Sequence, residues 1–156
     1  MEIKEMVVKA RKAQEIYEHH FDQDQVDRVI REAARVIYDH AEELARLAVN
    51  ETGMGVYEHK VAKNRNNSNG FFYNLWPMTN PIVTPMSKII FALKTKNAII
   101  IAPHPQSKRC SALAVNLIKD VVAPFGVPAD LIQVIDEPSI DKTKELMEAC
   151  DVVVAT

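Results

Sequence analysis

The side chains most able to do chemistry in this 156-residue chain sit in short strings between apolar runs. Pro103-His104-Pro105 is a stiff turn directly after the apolar run at 98–102, and Ser107 opens the helix that follows. A turn at the C-terminal end of a parallel strand is where open α/β sheets bind ligands, so His104 and Ser107 are candidates for ligand contact. Ser139 follows Glu137-Pro138 and caps the next helix, at the end where backbone amides attract anions. Thr79 and Asn80 precede Pro81, a pattern that caps a helix whose first position is proline. Cys110 follows Lys108-Arg109, whose charges lower a thiol pKa somewhat, but no base or oxyanion donor accompanies it. It reads as an ordinary helical cysteine. His19, His20, His40 and His59 lie on or beside helices without partners at metal spacing.

Several chemistries are excluded by pattern. There is no GxGxxG dinucleotide fingerprint and no GxxxxGK[ST] phosphate loop. Two cysteines, Cys110 and Cys150, make neither a disulfide framework nor a CxxC site. A net charge of −2 gives no basic stripe for nucleic acid. No apolar run reaches the ~20 residues of a membrane span, and the charged N-terminus has no signal-peptide core, so the cytoplasm is the expected compartment.

The elements that must position these residues follow from periodicity. Residues 3–20 read as a helix, with Met6, Ala10, Ala13 and Tyr17 on one face. Asp22 or Asp24 caps a second helix whose apolar residues, Val26 to Ala48, run almost seven turns to a stop at Gly53 and Gly55. A short helix is expected over 57–63, a loop over 64–70, and a short strand in the aromatic cluster before Pro77. Beyond Pro81 the pattern is helix, strand (98–102), helix (107–123), strand (131–135), helix (139–149) and strand (152–155). The all-apolar, β-branched strands predict burial on both faces in a parallel sheet. The fold class is therefore α/β: N-terminal helices over 1–70, then a partial Rossmann-like βαβαβ segment over 71–156, forming one incomplete structural domain. An apolar strand directly before Thr156 predicts a continuation beyond it, and an unfinished sheet edge if there is none.

The strings LAVNETGMGVYEHKVAKN (47–64), PMTNPIVTP (77–85), LKTKNAIIIAPHP (93–105), GVPADLIQVIDEPS (126–139) and VVVAT (152–156) closely resemble the CoA-acylating branch of the aldehyde dehydrogenase superfamily, in that family's order. The resemblance implies an aldehyde dehydrogenase-like fold, NAD or NADP as cofactor, coenzyme A as co-substrate, a small aldehyde as substrate and a homo-oligomeric full enzyme. The PMTNPIVTPM string is faintly like sulfoacetaldehyde-type members. It implies that the Asn80 amide donates to the oxyanion formed when cysteine attacks the aldehyde. It also implies that Thr79, Pro103, His104, Pro105 and Ser107 lie along the nucleotide site, Ser139 faces the pyrophosphate, and Thr156 begins the string beside the nicotinamide. Ala102 stands where members with free-acid products usually place a lysine. The family's catalytic cysteine falls beyond the position of Thr156, and neither cysteine here has its context. Only a dozen residues join Asn64 to Pro77, where family chains have an oligomerisation arm, which implies an internal deletion. The expected protein is a fragment of an acylating aldehyde dehydrogenase, inactive alone. The alternative is a non-catalytic nucleotide-binding or partner-binding α/β module.

Overall fold

The computed structural model describes residues 2–69 and 81–154. It contains seven helices and two strands in these residues: α1 (Ile3–His20), α2 (Gln23–Asp39), α3 (Ala41–Thr52), α4 (Tyr57–Asn69), α5 (Val83–Lys94), β1 (Ile99–Ile101), α6 (Lys108–Val122), β2 (Ile132–Val134) and α7 (Ile140–Ala149). The α/β class and the partial Rossmann-like βαβ core stand. β1 and β2 pair in parallel, with Ile99 opposite Ile132, Ile100 opposite Gln133 and Ile101 opposite Val134.

Side-chain alternation along the strands divides the molecule into layers. Ile99, Ile101, Ile132 and Val134 point into the main core, while Ile100 and Ile135 join Ile3, Met6 and Leu146 on the other side. The first face is covered by α5 and α6, the second by α1 and α7. Behind α5 and α6 lies α2, whose Val26, Val29, Ala33 and Ile37 are fully buried, and α3 and α4 pack outside it. The main core draws residues from both the N-terminal helices and the strand-bearing part, so the two share one interior.

The start of α2 is fixed locally. The Asp22 carboxylate accepts from the Gln25 amide at 2.8 Å, and the Gln25 side chain accepts from the Asp22 amide at 2.9 Å. This reciprocal pair satisfies two of the amides that every helix leaves open at its start.

Five expectations need correction. The helix expected to run unbroken to Gly53 is jointed at His40, where φ −97° and ψ 15° separate α2 from α3. The joint lets α3 turn toward α4 and α6 while α2 keeps its face on α5 and α6. Gly53 does end α3, in the left-handed conformation at φ 65°. The segment 64–69 is helix, not loop: buried Asn64 donates to the Ala41 carbonyl at 3.1 Å, and Ser68 donates to the Asn64 carbonyl at 2.7 Å. Tertiary bonding there overrides the weak helix preference of asparagine and serine. Pro81 lies in a turn, and α5 begins at Val83 after Ile82. Finally, Val152, Val153 and Val154 form no strand and are 77%, 47% and 62% exposed. β1 is also half-buried rather than fully covered. The aromatic cluster 71–76 and the proposed cap at Thr79 or Asn80 lie outside the described residues.

Asp22→Ala removes one arm of the reciprocal cap of a helix on which four others pack. It is expected to lower stability by about 1 kcal/mol, read as a lower urea midpoint with an unchanged slope.

Candidate nucleotide-side crevice

Because β1 and β2 are parallel and in register, the chain leaves both strands at the same edge, after Ile101 and after Val134. The turn at 103–107 and the turn at 136–139 are therefore neighbours. An ion pair joins them: the Lys108 ammonium lies 2.6 Å from the Glu137 carboxylate. Lys142 reaches the same residue, donating to its backbone carbonyl at 2.9 Å. Two cations thus converge on Glu137 at the end of the sheet where ligands bind in open α/β folds. The Lys108 ammonium bonds and attracts the Glu137 carboxyl, holding it below the usual carboxylate range.

Within the first turn, Pro105–Ser107 is a single 3-10 turn with His104 as its cap. The His104 Nδ1 accepts from the Gln106 amide at 3.2 Å, and the His104 carbonyl accepts from the Ser107 amide at 2.9 Å. With Nδ1 accepting, the neutral ring carries its proton on Nε2, which remains a donor. Prolines on either side fix φ, so the ring is presented from a backbone with little freedom. In the second turn Ser139 caps α7, its hydroxyl accepting from the Lys142 amide at 3.2 Å. That hydroxyl is engaged as a cap before it meets any ligand. Pro103, His104, Pro105, Ser107 and Ser139 thus stand along one edge, whereas Thr79, Asn80 and Thr156 lie outside the described residues. Pattern reading missed Lys108, Glu137 and Lys142, because charged residues beside a turn carry no periodic signal.

Lys108 and Arg109 do not lower the Cys110 thiol, in keeping with an ordinary helical cysteine. It is fully buried, donates to the Ser107 carbonyl at 3.3 Å and lies beside the Glu51 carboxylate. Burial first, then that negative charge, push it up to about 12. The Glu51 carboxylate itself accepts from the Arg109 and Cys110 amides, each at 2.7 Å. Burial works to raise the Glu51 carboxyl, but the Cys110 and Arg109 amides outweigh it and hold the group below the ordinary value. Burial also lowers Lys60, which is 6% exposed on α4. Cys150, at the end of α7, is partly exposed. No group of three or more metal-type ligands occurs among the described residues. No helix among them is long and apolar enough to cross a membrane. With a thiol held near 12, Cys110 should stay unlabelled by a disulfide reagent in the native chain up to pH ~9, while Cys150 reacts promptly. Two thiols per native chain reacting at the same rate would contradict the burial of Cys110.

The aldehyde dehydrogenase family profile matches residues 54–156. The chain is similar to the succinate-semialdehyde dehydrogenase (acetylating) of Clostridium kluyveri, at 38% identity over 99% of this chain and 40% of that protein. That alignment extends over 184 positions, so the relative carries about thirty residues more over the same span. Among solved structures it is similar to propionaldehyde dehydrogenase of Rhodopseudomonas palustris with bound propionyl-CoA, at TM-score 0.83 and 28% identity over 94% of this chain and 39% of that one. It is likewise similar to an engineered glycolyl-CoA reductase with bound NADP+, at TM-score 0.84 and 28% identity over 94% of this chain and 40% of the other. The chain spans about two fifths of the length of these relatives. By the family match and these relatives, the chain belongs to the aldehyde dehydrogenase family, in its acylating branch.

Proposed function

We propose that these residues form the nucleotide side of an enzyme that oxidises a small aldehyde to an acyl-CoA with NAD or NADP. The observation that carries the reading is the pairing of the 103–107 and 136–139 turns at one sheet edge, tied by Lys108 and Glu137. Two ammonium groups and a donor imidazole at that edge suit a ligand with an adenosine end and several phosphates. NAD(P)+, when bound, accepts the hydride. The chain's own part is to seat the adenosine side: His104 and its flanking prolines provide a fixed wall, Ser107 the start of α6, and the Ser139 turn the approach to the pyrophosphate.

The reacting thiol belongs elsewhere. Cys110 is buried with its thiol pushed up to about 12, and the Cys150 thiol donates to the Met147 carbonyl at 3.7 Å at the end of α7. In the full enzyme a cysteine outside these residues attacks the aldehyde carbonyl, and coenzyme A then takes the acyl group from the thioester. Asn80 donates its side-chain amide to the oxyanion in that reading, with Thr79 before it and Thr156 beside the nicotinamide. The amide fits the task because it is a neutral donor that needs no change of protonation. The full enzyme is a cytoplasmic homo-oligomer on the same reading.

Two outcomes follow. In an enzyme of the relatives' full length carrying this segment, Asn80→Ala should lower kcat by about 10²–10³-fold with little change in KM. Wild-type turnover in that variant would show that Asn80 is not the oxyanion donor. The 156-residue chain alone should reduce no NAD(P)+ with aldehyde and CoA, before or after Cys110→Ser and Cys150→Ser. It should still bind AMP weakly, with amide shifts concentrated at His104, Ser107 and Ser139. Shifts scattered elsewhere, or none at millimolar AMP, would rule out this crevice as the nucleotide side.

A further inference from the structure

The ETGMG string at 51–55 has no part in the crevice as described, yet each of its residues is committed. Thr52 donates to the Ala48 carbonyl at 2.6 Å and accepts from the Met54 amide at 3.2 Å, closing its own helix. Gly53 and Gly55 take positive φ, at 65° and 85°. Gly55 also lies under Lys60, whose Cε would stand 2.9 Å from an added Cβ. This turn reverses the chain immediately after Glu51 and leaves the carboxylate at the last turn of α3, aimed at the first turn of α6. There it takes the two amides of Arg109 and Cys110 at 2.7 Å.

An open helix start of this kind, next to a nucleotide crevice, is where a phosphate would ordinarily settle. Here the place is filled by an anion from within the chain. We infer that Glu51 is a positioning residue: its carboxylate fills the N-terminus of α6, fixes the 103–107 turn that leads into it, and closes this helix end to the phosphates of the nucleotide. The reading rests on the crevice being the nucleotide side. It explains why the turn contributes a side chain, His104, rather than helix amides. It also accounts for the negative charge beside Cys110, since the carboxylate that caps the helix adds to burial in raising the thiol.

Amide and carboxyl NMR of the 156-residue chain tests this. In the wild type the Arg109 and Cys110 amide protons should lie far downfield and titrate together with the Glu51 carboxyl, at a midpoint below the ordinary carboxylate value. Because the folded-state value is depressed, the stabilisation is present above the ordinary value and lost as pH falls through Glu51's own titration. Glu51→Ala should abolish both downfield signals, shift Gln106 and Ser107, and weaken AMP about tenfold through loss of preorganisation. Added formate should restore the signals in part, and inorganic phosphate should shift Arg109 and Cys110 in this variant but not in the wild type. Should Glu51→Ala fail to fold, Glu51→Gln and the wild-type titration still decide. Arg109 and Cys110 amides that ignore the Glu51 titration, or phosphate shifting them equally in the wild type, would overturn the inference. No AMP response anywhere, with the Glu51 signature intact, would instead refute the nucleotide reading.

Discussion

The buried face of α2 is the constraint on which the rest of this structure leans. Val26, Val29, Ala33 and Ile37 are without solvent exposure, and α4, α5 and α6 all pack against that helix. Removing one large side chain from such a position typically costs 2–5 kcal/mol, a large share of a small domain's stability. Once α6 is seated by Ala114, Val115 and Ile118, it meets β2, while α5 meets β1. The sheet edge and its two turns are consequences of that seating. Gln133 ties the other side: from within β2 its amide nitrogen reaches the Met6 and Asp130 carbonyls, each at 3.0 Å, joining α1 to the strand.

Local pattern was enough to find most elements, because each carries its own periodicity. α1, the face of α2, β1, α6, β2 and the Ser139-capped α7 could all be read along the chain. What escaped depends on partners far away in sequence. α4 remains helical through Asn64 and Ser68 because Ala41 and Met86 wait for their side chains. Residues 152–154 have a strand's composition, yet in the described structure nothing pairs with them. The joint at His40 is invisible because the spacing of buried residues continues evenly across it. At the crevice, the Pro103-His104-Pro105 turn announced itself, while Glu51 lies 58 residues from the amide of Arg109 that it holds.

The charge pattern around α6 also explains how two neighbouring groups of opposite expectation coexist. Lys108 and Arg109 precede a cysteine, an arrangement whose charges lower a thiol pKa somewhat. In space Lys108 is paired with Glu137, while burial and then the Glu51 carboxylate raise the thiol. The Cys110 thiol is therefore held in its neutral form.

The joint at His40 has a mechanical side. From there α3 runs twelve residues, about 18 Å at the usual rise, to its end beside α6. A swing of about 5° at His40 would carry that end roughly 1.5 Å, enough to break a hydrogen bond. What prevents the swing is the shaft, not the pivot: Ala41, Ala45 and Ala48 are fully buried, and small side chains bring neighbouring helices close enough to clamp it. A methyl group added on that shaft would be felt as misalignment two or three turns away, where nothing has been altered.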